Sequence, residues 1–189
     1  MTIDLNTAGD QRSFDVIPAG TILTLQMIIR PGGVGDGGWL KNAADDASTG
    51  LDCEFIVVGG DYDKRKIWQR FTIDGTTPGH AEAGKISLNT LRAMVESARG
   101  ICPDDKSEAA QAVRRVDWAD LNGLRFMAKI GVRPPKEGYA AKNIIREVIT
   151  PDRQVWKKPE QITQPTNSGP SQVPTTPPAN AIARPQWAG

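Results

Sequence analysis

Hydrophobic and polar side chains alternate along several stretches of the first 150 residues, a pattern typical of half-buried β-strands. In residues 66–74 one face carries Ile67, Phe71 and Ile73, and the other carries Lys66, Trp68, Arg70 and Thr72. The same alternation predicts further strands at residues 21–30, 51–58, 124–132 and 139–149. Cys53 is in phase with the apolar positions of its strand, so we expect it to be a buried core residue.

Between the third and fourth predicted strands the apolar period becomes helical. Apolar residues recur at Leu88, Leu91, Val95 and Ala98. Ser87 is placed to cap the start of this helix and Gly100 to end it. A second, short helix is predicted over residues 108–116, where Asp105 and Glu108 have the spacing of a capping box.

The element order is therefore three strands, a helix and two strands. The fold class we expect is mainly β with α: a five-stranded OB-fold, a Greek-key barrel with its helix between strands three and four. An α+β sheet with a helical layer on one side shares this order. Long strands and a single convincing helix favour the barrel, and residues 1–150 form the predicted domain.

Beyond residue 150 the composition changes. Eight of the fourteen prolines lie in residues 151–189, mixed with Thr, Gln, Ser, Asn and Gly. Such a segment buries too little apolar surface to offset the entropy of ordering it, so a disordered tail is predicted. Trp187 near its end is interpreted as part of a functionless terminus, and a docking peptide for partner proteins is the alternative.

Charge and cysteine content narrow the function classes. The formal net charge is +1, so any binding of a polyanion must come from a local patch. Cys53 and Cys102 lack the spacing of metal ligands, and a reducing bacterial cytoplasm fits them better than a secreted disulfide fold. Neither a membrane-spanning apolar run nor a signal peptide is recognisable, so we expect no membrane association. The oligomeric state is left open, a homo-oligomer included.

Aromatic and cationic residues occur together where an OB-fold binds oligonucleotides, on strands two and three and in the two framing loops. Tryptophan and tyrosine rings can stack on bases while lysine and arginine neutralise phosphates. Solvation of an ordinary outer strand face is the alternative interpretation. The candidate nucleic-acid-binding residues are Trp39, Lys41, Lys64, Arg65, Lys66, Trp68, Arg70, Arg125, Lys129 and Tyr139.

Other motifs do not predict chemistry. Residues 33–38 match G-x-G-x-x-G, but the following residues lack the helical periodicity that a dinucleotide site requires. His80 is the only histidine and is expected on the surface, in a loop ahead of the helix. The paired aspartates fall in turns and at helix starts, where Asp has structural roles. We therefore expect no catalytic residues, no metal site and no cofactor.

Short motifs in a consistent order resemble a family of small bacteriophage and prophage proteins regarded as OB-fold single-stranded DNA-binding proteins. The motifs are FDVIPAG at 14–20, GWLK at 38–41, LDCEF at 51–55, GDY at 60–62, RKIW at 65–68, LRAM at 91–94, DLNG at 120–123, and Tyr139 with Asn143. They extend over about three quarters of the chain. The family pattern usually has Gly before the Arg of the hairpin, where this chain has Lys64.

The resemblance implies sequence-nonspecific binding of single-stranded DNA during phage replication or recombination, with proteins of those processes as partners. Many such proteins end in an acidic tip that recruits partners, whereas this tail is slightly basic. The alternative is an interaction module that binds a recombination protein with weak or no DNA contact. An enzyme of nucleotide metabolism is the third hypothesis, disfavoured because no catalytic constellation is recognisable.

Overall fold

A computed structural model of the chain describes residues 15–136 and 138–161. Its strands are β1 Ile22–Arg30, β2 Lys41–Asn42, β3 Ser48–Val57, β4 Lys66–Gly75, β5 Arg125–Arg133 and β6 Lys142–Ile149. Its α-helices are α1 Pro78–Arg99, α2 Glu108–Val113 and α3 Trp118–Leu121. The structure is thus mainly β, with one long helix after β4.

The six strands form one antiparallel sheet. β3 pairs with β1, β2 and β4, and β1 pairs with β5, which pairs with β6. Between β4 and β6 the described residues form no backbone ladder, so the sheet is not closed. A side chain links these edges instead: the Ile145 amide donates to Gln69 Oε1 at 3.1 Å. The expected five strands become six because two-residue β2 forms in the long loop after β1.

The core lies on the predicted inner faces of the strands. Phe55 is fully buried and meets Phe71 and Phe126 edge to face, with ring centroids 6.1 Å and 5.8 Å apart. Such aromatic pairs add about 0.5–1.5 kcal/mol each beyond their buried area. Cys53 is buried as expected, and burial raises the pKa of its thiol far above the ordinary value. The alternation along the strands therefore predicted the core correctly.

Helix α1 begins earlier than predicted. Its N-cap is Thr77, whose hydroxyl accepts from the His80 amide, and Pro78 occupies the first turn, where a missing N–H costs nothing. Ser87 is a buried residue inside the helix, so its predicted capping role is wrong. His80 lies half-buried in the first turn and not in a loop. Gly100 ends the helix in the left-handed conformation, with φ 77°, as predicted.

Three other local predictions are corrected by the structure. The second helix ends at Val113, and the Ser107 hydroxyl caps it by accepting from the Ala110 amide, in place of the predicted box. The last strand begins at Lys142, after a loop that contains Tyr139. Within residues 33–38 the chain makes a single 3-10 turn at Asp36–Gly38, and the next element is β2. No α-helix follows there, so the dinucleotide interpretation stays disfavoured.

At two positions the backbone limits which residue types fit without strain. Lys64 in the turn between β3 and β4 has φ 63°, a left-handed conformation that costs a non-glycine residue about 1–2 kcal/mol. At Gly84, helix α1 packs so closely on β4 that a Cβ would lie 2.6 Å from the Ile73 carbonyl oxygen. The first position would suit glycine, and the second requires it.

Residues 151–161 lie against the sheet and α1, although their composition resembles the tail. The Trp156 indole donates to the Ser97 carbonyl at 3.1 Å, and the Gln161 amide donates to the Arg125 carbonyl at 2.7 Å. A second bond joins the Gln161 amide to the Ala98 carbonyl at 3.3 Å. The remainder of the predicted tail, residues 162–189, lies outside the described residues.

Candidate nucleic-acid interface

A buried carboxylate organises the polar face of β1, β3 and β4. Glu54 is only 3% exposed and accepts from Arg30 Nη2 at 2.5 Å and from Lys66 Nζ at 2.6 Å. Arg30 on β1 and Lys66 on β4 each lie diagonally opposite Glu54 on a neighbouring strand. Long side chains can make contact across such a diagonal. The bonds from Lys66 and then Arg30 lower the pKa of Glu54, so the carboxyl stays ionised at neutral pH. Glu54 therefore fixes the positions of two partly exposed cations.

Asp52 lies two residues before Glu54 on β3 and contacts a second pair of cations. Arg70 Nη1 lies 2.9 Å from Asp52 Oδ1, and Lys41 Nζ lies 3.3 Å from Oδ2. Arg70 also donates through Nη2 to the Lys41 carbonyl at 2.8 Å. These bonds leave Arg70 less free for new contacts than Lys41 or Lys66, although its positive charge still contributes to the local potential.

Trp68 lies between these clusters. It pairs directly with Glu54 across β3 and β4, and 55% of its surface is exposed. An open groove of about 400 Å³ runs along its ring. The charged side chains that line this groove are Arg30, Asp52, Arg70, Arg133 and Lys142. We call it the cationic groove, because four cations face one carboxylate beside an exposed aromatic ring.

Arg133 and Lys142 are functional candidates that sequence reasoning missed. They are paired in register at the ends of β5 and β6, on either side of the loop that carries Tyr139. Among the described residues neither forms an ion pair with a carboxylate. Their position beside the second framing loop of the expected fold was the available signal. Both cations can therefore bind a phosphate without first releasing a described acidic partner.

The ends of the hairpin and of the β5–β6 loop carry three more predicted residues. Lys64 is exposed at the tip of the turn, and Arg65 donates to the Asp15 carbonyl. Tyr139 is 78% exposed, so its ring is accessible for stacking. The structure thus brings Lys41, Lys66, Trp68 and Arg70 together, and it adds Tyr139 on an adjoining loop.

The other predicted residues lie elsewhere. Trp39 is half-buried against the core and lines a different cavity from Trp68. Arg125 pairs in register with Gln26 on β1. Its guanidinium donates to the Glu160 carbonyl at 3.2 Å, next to Gln161, the last described residue. Lys129 forms an ion pair with Glu147 of β6 at 3.1 Å. These three residues are not part of the cationic groove.

Neither a metal-ion site nor a membrane-spanning helix is found in the part of the chain that the structure describes. Within residues 15–136 and 138–161, no three His, Cys, Asp or Glu side chains are grouped as they would be to hold a metal ion. None of the helices in those ranges has the length and apolar character needed to span a membrane. Comparison with known proteins adds no constraint, since no family model and no curated protein matches the chain.

Proposed function

We propose that this protein binds single-stranded DNA along the cationic groove without sequence preference. The observation that carries the proposal is Trp68, an exposed ring that lines a groove where cations outnumber carboxylates four to one. Base–aromatic stacking contributes about 1–3 kcal/mol per base and tolerates every base, because each has a π-face. The protein would protect single strands during phage replication or recombination, in the cytoplasm of the bacterial host.

The residues of the groove and those beside it, Lys66, Tyr139 and Glu54, have distinct roles in this mechanism. Trp68 stacks a base, and Tyr139 stacks another on the β5–β6 loop. Arg133, Lys142 and Lys66 contact phosphates, and their charges make affinity fall as salt rises. Glu54 holds Lys66 in place before DNA arrives, so less side-chain entropy is lost on binding.

We further propose that the open sheet is an OB-fold barrel. The strand order, with β1 between β3 and β5 and α1 between β4 and β5, supports this assignment. The bond from Ile145 to the Gln69 side chain lies at the seam where the barrel would close. On this assignment the cationic groove would correspond to the strand face and loop that bind oligonucleotides in OB-folds.

The test is a titration with a poly-thymidine oligonucleotide, followed by tryptophan fluorescence and by anisotropy of a labelled strand. Wild-type protein should show saturable quenching that weakens as salt rises. Trp68→Ala should weaken binding by about 5- to 150-fold, the equivalent of about 1–3 kcal/mol. Ile86→Ala is the matched control, because Ile86 is 59% exposed on α1 and lies outside the groove.

A folded wild-type protein that neither quenches nor changes anisotropy at low salt would refute the proposal. Equal affinities of Trp68→Ala and wild type would refute the assigned role of the ring. Circular dichroism of both variants checks that the fold is intact. Since Trp68 is more than half exposed, its removal should cost little stability.

The second candidate is a protein-interaction module of a phage recombination system. The observation that favours it is a larger and more apolar groove beside α1, lined by Trp39 and Trp118. In that case Trp68→Ala would leave binding of the recombination partner unchanged, whereas truncation of Leu88 in the apolar groove would weaken it. DNA titration and partner pull-down with both variants distinguish the two functions.

A further inference from the structure

The apolar groove beside α1 is a concave surface that DNA binding does not use. Its volume is about 690 Å³. Leu88, Leu91 and Val95 form its floor along one stripe of α1, with Leu88 half exposed. Trp39 from the β1–β2 loop and Trp118 from α3 are partly buried against the core and line it as well. An exposed leucine and two indole rings give this groove the apolar and aromatic lining typical of a ligand-binding surface.

The charges of this groove favour a cationic segment. Its two arginines, Arg92 and Arg114, both donate to the buried carboxylate of Glu96, at 2.8 Å and 2.7 Å. Its two acids, Asp36 and Asp117, form no ion pair with any described residue. The charge that remains open to a ligand is therefore negative.

We propose that residues 182–187 of this chain dock in the apolar groove, with Trp187 between the indoles and Arg184 against the acids. Residues 162–189 contain a single aromatic residue, Trp187, and a single charged residue, Arg184. Ile182 and Pro185 supply further apolar surface beside them. The chemistry of this segment thus complements the groove in both apolar character and charge.

The chain leaves the described fold close to the groove. Gln161 is bonded to the Ala98 carbonyl, and Ala98 continues the helical stripe of Leu88, Leu91 and Val95. Ten helical residues separate Ala98 from Leu88, a distance of about 15 Å at 1.5 Å per residue. The linker of residues 162–181 contains five prolines, and at the polyproline II rise of about 3.1 Å per residue it can span up to about 60 Å, well beyond the distance required. The segment can therefore reach the groove of its own molecule.

The experiment is ¹⁹F NMR of the full chain labelled with 5-fluorotryptophan, which gives one resonance for each of the five tryptophans. Leu88→Lys, which removes apolar surface and repels Arg184, should move the Trp187 resonance to the position of a free peptide of residues 182–189. Ile86→Lys is the matched control, because it places the same charge two residues away on a similarly exposed site outside the groove. It should leave the Trp187 resonance where wild type has it.

A second variant changes the docking segment itself and leaves every residue of the groove unchanged. Trp187→Ala should shift the resonances of Trp39 and Trp118 and leave that of Trp68 unchanged. Tenfold dilution should alter none of these resonances if the docking is within one molecule. A shift that disappears on dilution would assign the segment to a second copy and overturn the proposal. A wild-type Trp187 resonance equal to that of the free peptide would also overturn it, and would leave the groove to a partner protein.

Discussion

Arg133 and Lys142, which form no ion pair with any residue that the structure describes, allow a sharp electrostatic test of the cationic groove. Each phosphate neutralised on a single strand releases about 0.7 of a counterion, which sets the slope of log affinity against log salt. If each of these residues contacts one phosphate, replacing both by alanine should reduce the slope by about 1.4. Because neither has a described acidic partner, the loss is not offset by a freed carboxylate.

The size of the effect is measurable over an ordinary salt range. Between about 50 mM and 200 mM salt, a slope difference of 1.4 corresponds to about sevenfold in affinity. Wild-type protein should therefore lose about seven times more affinity over this range than the Arg133→Ala, Lys142→Ala double variant. Fluorescence anisotropy of a labelled poly-thymidine strand, recorded at four or five salt concentrations, gives both slopes.

The control is a double variant with the same change in net charge. Lys106 and Arg115 are exposed, lie outside the cationic groove and form no ion pair with any described residue. Their replacement by alanine should leave the slope within about 0.3 of wild type, because surface charges beyond a Debye length are screened. Equal slope changes in the two double variants would show a general charge effect. That result would refute the phosphate contacts assigned to Arg133 and Lys142.

Three further predictions concern stability, each measured by urea unfolding. Glu54→Gln should lower the free energy of unfolding by about 1.5–3 kcal/mol at pH 7, because the amide is uncharged and its single oxygen replaces the two that accept from Arg30 and Lys66. The pKa of Glu54 is lowered in the folded state, so its contribution is present above the unfolded value of about 4.3 and lost as pH falls through the folded pKa. A gap between variant and wild type that does not shrink below pH 4 would contradict this assignment. Lys64→Gly should stabilise the protein by about 0.5–1 kcal/mol, because relief of the left-handed strain exceeds the added backbone entropy; destabilisation would show that the turn is unstrained. Gly84→Ala should cost about 1–3 kcal/mol through its clash with the Ile73 carbonyl, whereas Gly79→Ala in the same helix, with only an ordinary contact at 3.7 Å, should be neutral or stabilising. Equal effects of the two alanines would contradict the close approach of α1 to β4.

The strands and the core were predictable from the sequence because alternation reports burial directly. Leu25, Met27 and Ile29 are buried as their spacing indicated, and Gly100 ended the helix as expected. The start of α1 was missed because its first turns contain Gly79 and Gly84 and few large apolar residues. Gly84 is there for the contact with β4, which no local pattern reveals.

The candidate site was only partly predictable, since polar residues on a strand face do not disclose their partners. Glu54 is buried beneath Arg30 and Lys66. The sequence pattern shows only that it occupies a polar position, and does not predict that its carboxylate is buried. Trp39 and Trp68 looked equivalent in the sequence, yet the fold directs them into different cavities. Arg133 and Lys142 come together only through the pairing of β5 with β6.

The central claim, that Trp68 stacks on single-stranded DNA, is tested most directly by photocrosslinking. The protein would be irradiated with an oligonucleotide that contains 5-bromodeoxyuridine, digested with trypsin, and the adducts located by mass spectrometry. Trypsin should release residues 67–70 as a tetrapeptide that contains Trp68 and no other aromatic residue. We predict the main adduct on this peptide, with a second on the peptide that contains Tyr139. Adducts confined to the peptides of Trp39 or Trp118, or none at all, would contradict the account.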